Sequence, residues 1–222
     1  MDFFRILVDP QTSAPLWLTL KTLAAAGALH LAFGVLLGYY LTSGTGFLRS
    51  ATDFLVTLPL VFPPIATGFI LLMLLGRSGP LSRILPVDLI FSFPGVVLAS
   101  FVAGMPLMVK PVEAALRGDV KRLAEISHVL GKNRWQTFWL VLLPTIRRNV
   151  AAGWFLALGR SLGEVGITLM LGGNIIGKTN TLSLEIYNAV FSGEFERALV
   201  LSAIIGAFSL SIFIALKRLS AV

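Results

Sequence analysis

Residues 22–48, TLAAAGALHLAFGVLLGYYLTSGTGFL, run for 27 positions without one Asp, Glu, Lys or Arg. An α-helix rises 1.5 Å per residue and a bilayer core is about 30 Å thick, so about 20 apolar residues suffice to cross it. Three further charge-free runs follow at 54–76, 89–109 and 198–216, of 23, 21 and 19 residues. Each is long enough to span. A fifth apolar region, 135–177, is interrupted by Arg147, Arg148, Arg160 and Glu164. A soluble chain of 222 residues has too little polar surface to enclose so many apolar helices. The composition agrees: 56% of residues are hydrophobic, 13% are charged, and the mean hydropathy is +0.86.

The expected fold is therefore an all-α integral membrane protein forming one domain over 1–222. It has about five transmembrane helices, near 16–41, 52–76, 89–110, 135–171 and 198–217. Pro10 and Pro15 suggest an irregular lead-in. The first block begins too late and runs too long for a cleaved signal. With no cysteine, disulfides, thiolate metal sites and a cysteine nucleophile are excluded. No catalytic or metal-ligating constellation is visible, and the +7 charge is spread between apolar blocks rather than gathered for nucleic acid.

The loops orient the chain. Residues 110–134 hold Lys110, Arg117, Lys121, Arg122, Lys132 and Arg134. Arg77 and Arg83 follow the second block, and Lys178 and Arg197 follow the 135–177 region. The positive-inside rule places the 110–134 loop in the cytoplasm, the N-terminus outside and the C-terminus inside.

One motif points elsewhere. Residues 172–179, GGNIIGKT, match the phosphate-loop pattern G-x-x-x-x-G-K-[ST]. That pattern functions where a buried strand delivers a glycine-rich turn to a helix N-terminus. No strand pattern precedes it, no aspartate follows to hold Mg²⁺, and the topology puts it outside the cytoplasm. The glycines are expected to let the chain turn on leaving the membrane.

The cytoplasmic loop is the most informative stretch. Asp119 suits an N-cap and Gly131 the C′ position of a helix near 119–131, too short to span. Leu123, Ile126 and Leu130 fall at i, i+3 and i+7 and form one apolar stripe, with Lys121, Arg122, Glu125 and His128 on other faces. Such a stripe packs on the chain's own spans, on lipid, or in a partner's groove.

Glu125-Ile126-Ser127, three residues, Gly131, nine residues, then Val141-Leu142-Leu143-Pro144 resemble the E-A-A-x3-G-x9-I-x-L-P signature of ABC importer membrane subunits. Glu125, Gly131, Leu143 and Pro144 match; Ile126 and Ser127 replace two alanines, and Val141 replaces isoleucine. Segments such as LPLVFPPIATGFILLMLLGRSGPLSR and GRSLGEVGITLMLGGNIIGKTNTLSLEIYNAVFSGEFERA extend the resemblance to permeases for molybdate first, then tungstate and sulfate. The resemblance implies a type I-like importer fold in a bacterial inner membrane. It implies two copies of the chain around a pathway, a cytoplasmic ATPase dimer carrying ATP and Mg²⁺, and an extracytoplasmic oxyanion-binding protein. No cofactor is then expected on this chain. Its coupling helix would contact the ATPase through Leu123, Glu125, Ile126, Ser127, His128, Leu130 and Gly131, with Pro144 completing the signature.

Arg160 and Glu164, four residues apart inside a span, are pathway candidates or a structural bridge. Pro63 and Pro64, with Pro59, break the second block and are candidates for a gate or a static kink. Gly27, Gly34 and Gly38 suit close helix packing, and His30 a packed helix position. A gradient-driven anion transporter and a nucleotide-binding enzyme are the competing classes.

Overall fold

The computed structural model describes residues 9–42, 44, 46–81, 89–117 and 120–220, all helices and connections. Arg83, the expected N-cap Asp119 and the side chain of Lys121 lie outside the described residues.

Helix α1, Pro10–Thr42, starts earlier than expected, so from Pro10 onward the segment expected as an irregular lead-in is helical; its residues 1–8 lie outside the described residues. Asp9 caps it, accepting from the Gln11 backbone N–H at 2.9 Å, and Pro10 sits where its missing N–H costs nothing. Pro15 lies inside the helix and leaves the Gln11 carbonyl without its intrahelical donor. Arg197 Nη2 supplies the replacement at 2.9 Å. A π turn at His30–Gly34 interrupts α1 midway.

The second apolar block is not one helix. It divides into α2, Phe47–Val61, and α3, Pro64–Leu75. Phe62 and Pro63 are extended, because a residue preceding proline is pushed out of the helical region. The 12 residues of α3 reach about 18 Å, short of a bilayer core.

Helix α4, Phe93–Arg117, is the central element: its most apolar window is 67% buried, against 11% for the last helix, α10, Phe195–Ser220. Met108, Val112 and Leu116 of α4 pack with Val35, Phe138, Leu142, Ile146 and Ala157. Ala99 and Ala103, further toward its start, pack with Ile167 and Leu171. Close approach of α1 requires small residues: a Cβ on Gly34 would stand 2.3 Å from Met108, and one on Gly38 2.6 Å from Val112.

After α4 comes the short helix α5, Val120–Val129. Helix α6 begins at Arg134–Thr137, passes through a π turn at Phe138–Leu142 and ends at Leu143–Thr145. Helix α7, Arg147–Leu162, and α8, Gly166–Gly172, meet at a 65° bend. The region expected to span over 135–171, whose continuity the sequence leaves open, is thus broken twice. Helix α9, Leu182–Phe191, was expected as loop. It starts at Thr181, whose side chain accepts from Leu184 N.

By length and composition α1, α4 and α10 are each able to cross a membrane, and α7 with α8, taken together as one bent segment, are apolar enough to make a fourth. The remaining expected span, 52–76, corresponds to the divided α2–α3 pair.

The candidate docking surface and the polar groups of the bundle

Helix α5 uses two faces differently. Val120 and Ala124 pack on the cluster around Met108 and Phe138. Ser127, one turn on, is buried, and its hydroxyl bonds Thr137 Oγ1 on α6 at 3.0 Å. These three positions, at i, i+4 and i+7, form the anchored face. Leu123, Ile126, Val129 and Leu130 are exposed by 39%, 55%, 88% and 73%. The stripe therefore does not lie on the chain's own spans. Ser127, expected among the coupling residues, is turned inward onto Thr137. Val129 belongs to the bare face and escaped the sequence reading, because strict i, i+3, i+7 counting skips the residue beside Leu130.

Arg122, Glu125 and His128 are exposed on α5. The helix stops at Gly131, with φ +81°. Gly131 N–H donates to His128 O at 3.0 Å and Lys132 N–H to Ser127 O at 3.1 Å. That bond pair is the Schellman termination, and it favours glycine at the left-handed position. Asn133 then opens α6 in a reciprocal capping box with Gln136. The corner between the helices is thus held by backbone and caps. Pro144 lies exposed on the last turn of α6, just before the Ile146 junction to α7.

The loop at residues 172–179 has the opposite character. Gly172 ends a helix, not a strand, and Gly173, Asn174 and Gly177 take φ of +74°, +51° and +75°. The N–H groups of Lys178, Thr179 and Asn180 converge on one acceptor, Ile175 O, at 3.0, 2.9 and 3.2 Å. Thr179 Oγ1 donates to Gly172 O at 2.7 Å and accepts from Ile175 N at 2.9 Å. The N–H groups of Ile175, Lys178, Thr179 and Asn180 are thus engaged within the loop and not free for a phosphate.

Arg160 and Glu164 form an ion pair at 2.6 Å, the glutamate side chain 1% exposed and the arginine 30%. The other carboxylate oxygen of Glu164 accepts from Ile167 N at 2.6 Å, at the first turn of α8. One carboxylate thus joins the end of α7 to the start of α8 across the bend, an acidic group at the positive end of a helix. Gly68 of α3 packs against Ile167 and Met170, and Gly166 against Pro64 and Ile65. The proline break and the bend are in contact. His30 is buried; its Nε2–H donates to Phe101 O at 2.9 Å, and its ring stacks on Phe101 at 5.3 Å.

A second polar cluster was not read from the sequence. The Glu185 carboxylate receives Arg197 Nη2 at 2.6 Å, Asn188 Nδ2 at 3.3 Å and Asn180 Nδ2. Arg197 Nη1 also reaches Gln11 Oε1 at 2.6 Å. Arg197, counted as a loop charge above, is therefore neutralised within the bundle. Its partners are separated by 12 and 186 positions, with no local pattern to reveal them. No group of three or more His, Cys, Asp or Glu side chains is placed for a metal among the described residues.

Residues 31–221 match the family model described as binding-protein-dependent transport system inner membrane component. The chain is 34% identical over 223 residues to the molybdenum transport system permease protein ModB of Escherichia coli, covering 97% of each. It is 36% identical over 188 residues to ModB of Mycobacterium tuberculosis, covering 83% of this chain and 71% of that one. It is 32% identical over 217 residues to the chloroplastic sulfate permease 2 of Chlamydomonas reinhardtii, 95% of this chain and 58% of that one. In fold it is similar to a chain in the crystal structure of a bacterial alginate ABC transporter bound to its periplasmic protein. The TM-score is 0.74 at 18% identity, over 98% of this chain and 80% of that one. With the model matched across most of its length and a third of its residues shared with full-length relatives, the chain belongs to the family of inner membrane components of binding-protein-dependent transport systems.

Proposed function

We propose that this chain is the transmembrane subunit of an ATP-driven importer that moves an oxyanion, molybdate first, from an extracytoplasmic binding protein into the cytoplasm. Two copies enclose the pathway, and two ATPase subunits sit below them and carry ATP and Mg²⁺. The relatives named for molybdenum transport support the substrate; the sulfate permease among them keeps sulfate, and with it tungstate, as alternatives.

The observation that carries the reading is the bare stripe of α5. Four large apolar side chains stand exposed on a helix whose opposite face is fastened to the bundle. Burial of each in a partner's groove contributes about 1.5–3 kcal/mol. A helix anchored in this way transmits a push on its outer face to α4 and α6, so α5 is the coupling helix. The stroke then reaches the α2–α3 break and the α7–α8 bend, which touch through Gly68 and Gly166. Glu164 holds the bend, and the exposed edge of Arg160 faces the pathway.

In this reading the α2–α3 pair completes five crossings, with the N-terminus outside and the C-terminus inside. The native chain lacks cysteine, so sidedness is read by impermeant thiol reagents. A cysteine at Ser192 reacts from outside, and one at Val129 only from the cytoplasmic side. Ser127 is too buried to serve as that probe. The function is tested in proteoliposomes containing this chain, its ATPase subunit and its binding protein. Labelled molybdate enters only with ATP inside the ATPase-facing compartment, and excess tungstate and sulfate rank the specificity. Uptake driven by an ion gradient without ATP would overturn the reading.

A further inference from the structure

A cavity of about 620 Å³ opens at the end of the bundle where α1 begins and α9 meets α10. Its lining changes character from floor to rim. Asn180 and Glu185 on the floor are buried, and the charge of Glu185 is answered by Arg197. Arg197 is in turn occupied by Glu185 and by both the side chain and the carbonyl of Gln11. The floor is polar but neutral. Glu194 lines the same cavity and is different: its side chain is 52% exposed, and its one ion pair among the described residues, to Arg197 Nη1, is long at 3.4 Å. The cavity therefore carries one surplus negative charge among its lining residues. Ile176 and Phe191, also lining it, are 80% and 75% exposed.

An apolar rim and a carboxylate beside amide groups suit one kind of occupant: a long side chain with an aliphatic stem and a cationic tip. Lysine and arginine bury their methylene stems on apolar surface while the charged head finds a polar partner. The exposed ring of Phe191 adds a face that attracts a cation. A dianionic substrate is repelled by the same surplus charge. We propose that this cavity receives a lysine or arginine side chain presented by the extracytoplasmic binding protein. Glu194 is the charge that recognises it, and Ile176 and Phe191 clasp its stem. The proposal rests on the importer reading and on the sidedness given above, which put this end of the bundle outside.

The test uses the assembled complex in nanodiscs, with ATPase subunits, and the binding protein that supports uptake in proteoliposomes. Glu194→Lys is the variant: its side chain is half exposed, so the fold is undisturbed, and co-purification of the ATPase subunit confirms assembly. Capture of the binding protein is expected to weaken tenfold or more, since like charges brought together across an interface cost several kcal/mol. Glu194→Gln weakens capture several-fold and flattens its dependence on salt, because a screened charge pair is removed. Reversing the sign of one basic residue on the binding protein restores capture by the Glu194→Lys complex. Unchanged affinity and salt dependence in an assembled Glu194→Lys complex would overturn the site and leave the importer intact. Failure of the unaltered complex to capture the binding protein would overturn both.

Discussion

Helix α5 and the loop at 172–179 make an instructive pair. Both are short segments between helices, both turn at a glycine with positive φ, and both carry a sequence motif that names a partner. Gly131 and Gly173 have nearly the same backbone angle, +81° and +74°. The segments differ in where their unsatisfied groups go. In the loop, three successive N–H groups close on Ile175 O and the Thr179 hydroxyl ties both ends, so these donors are not free for a phosphate. In α5 the backbone is equally satisfied, but four apolar side chains are left bare. A motif therefore earns its reading only when the fold leaves its binding groups free.

The largest effect is expected where the two segments differ most. Ile126→Asp with Leu130→Asp places two charges on the bare stripe. Each replaces burial of roughly 1.5–3 kcal/mol with the desolvation of a carboxylate. Co-purification of the ATPase subunit and ATP-driven uptake are both expected to be lost, while membrane insertion is unchanged because the anchored face is intact. Wild-type uptake in this variant would show that α5 does not differ from the loop in function.

Thr179→Val tests the opposite claim, that the loop is a closed structural unit. It removes both hydroxyl bonds at a position with 0% exposure and strands Ile175 N–H and Gly172 O. A loss of about 1–3 kcal/mol is expected, read as a lower unfolding midpoint in detergent. An unchanged midpoint would mean that the loop's bonds are replaceable by water.

Gly131→Val comes next. A Cβ there meets nothing within 4 Å of the chain itself, so the cost lies in the left-handed backbone, roughly 1–2 kcal/mol. Uptake is expected to fall several-fold with the binding protein's own oxyanion affinity unchanged. Gly131→Asn, which tolerates that conformation better, should lose less. Equal activity in both variants and the parent would remove the corner from the coupling path. The smallest effect is expected from Lys178→Ala. Lys178 is exposed on the closed loop, and nucleotide binding by the assembled complex should not change. A loss of nucleotide binding with assembly preserved would restore the phosphate-loop reading.

Much of the fold was legible in the residues alone. Hydrophobic runs of bilayer length identify membrane helices without any knowledge of packing, because water is the solvent they avoid. The glycine at 131 was legible as a helix stop for an equally local reason: a left-handed C′ residue is set by backbone sterics, not by neighbours. The stripe of Leu123, Ile126 and Leu130 was legible as periodicity, and the resemblance to importer permeases as spacing.

What the tertiary structure decided is a matter of direction and distance. Lipid and protein interior are both apolar, so composition cannot say which side of a helix meets which. That is why the inward turn of Ser127, the bareness of Val129 and the central place of α4 emerge only from packing. Breaks in apolar blocks were hidden for the same reason. Prolines marked the α2–α3 division, but the 65° bend between α7 and α8, which Glu164 bridges from Arg160 to Ile167 N, carried no such mark. The Gln11 carbonyl freed by Pro15 is satisfied by Arg197, 186 residues away. The sequence by itself determined that the chain lives in a membrane, where its short helix stops and which family it resembles, since these follow from solvent preference, local sterics and residue spacing. Only the tertiary structure decided which polar groups are used up inside the bundle and which surfaces remain for partners, because hydrogen bonds and ion pairs between distant residues are settled by packing.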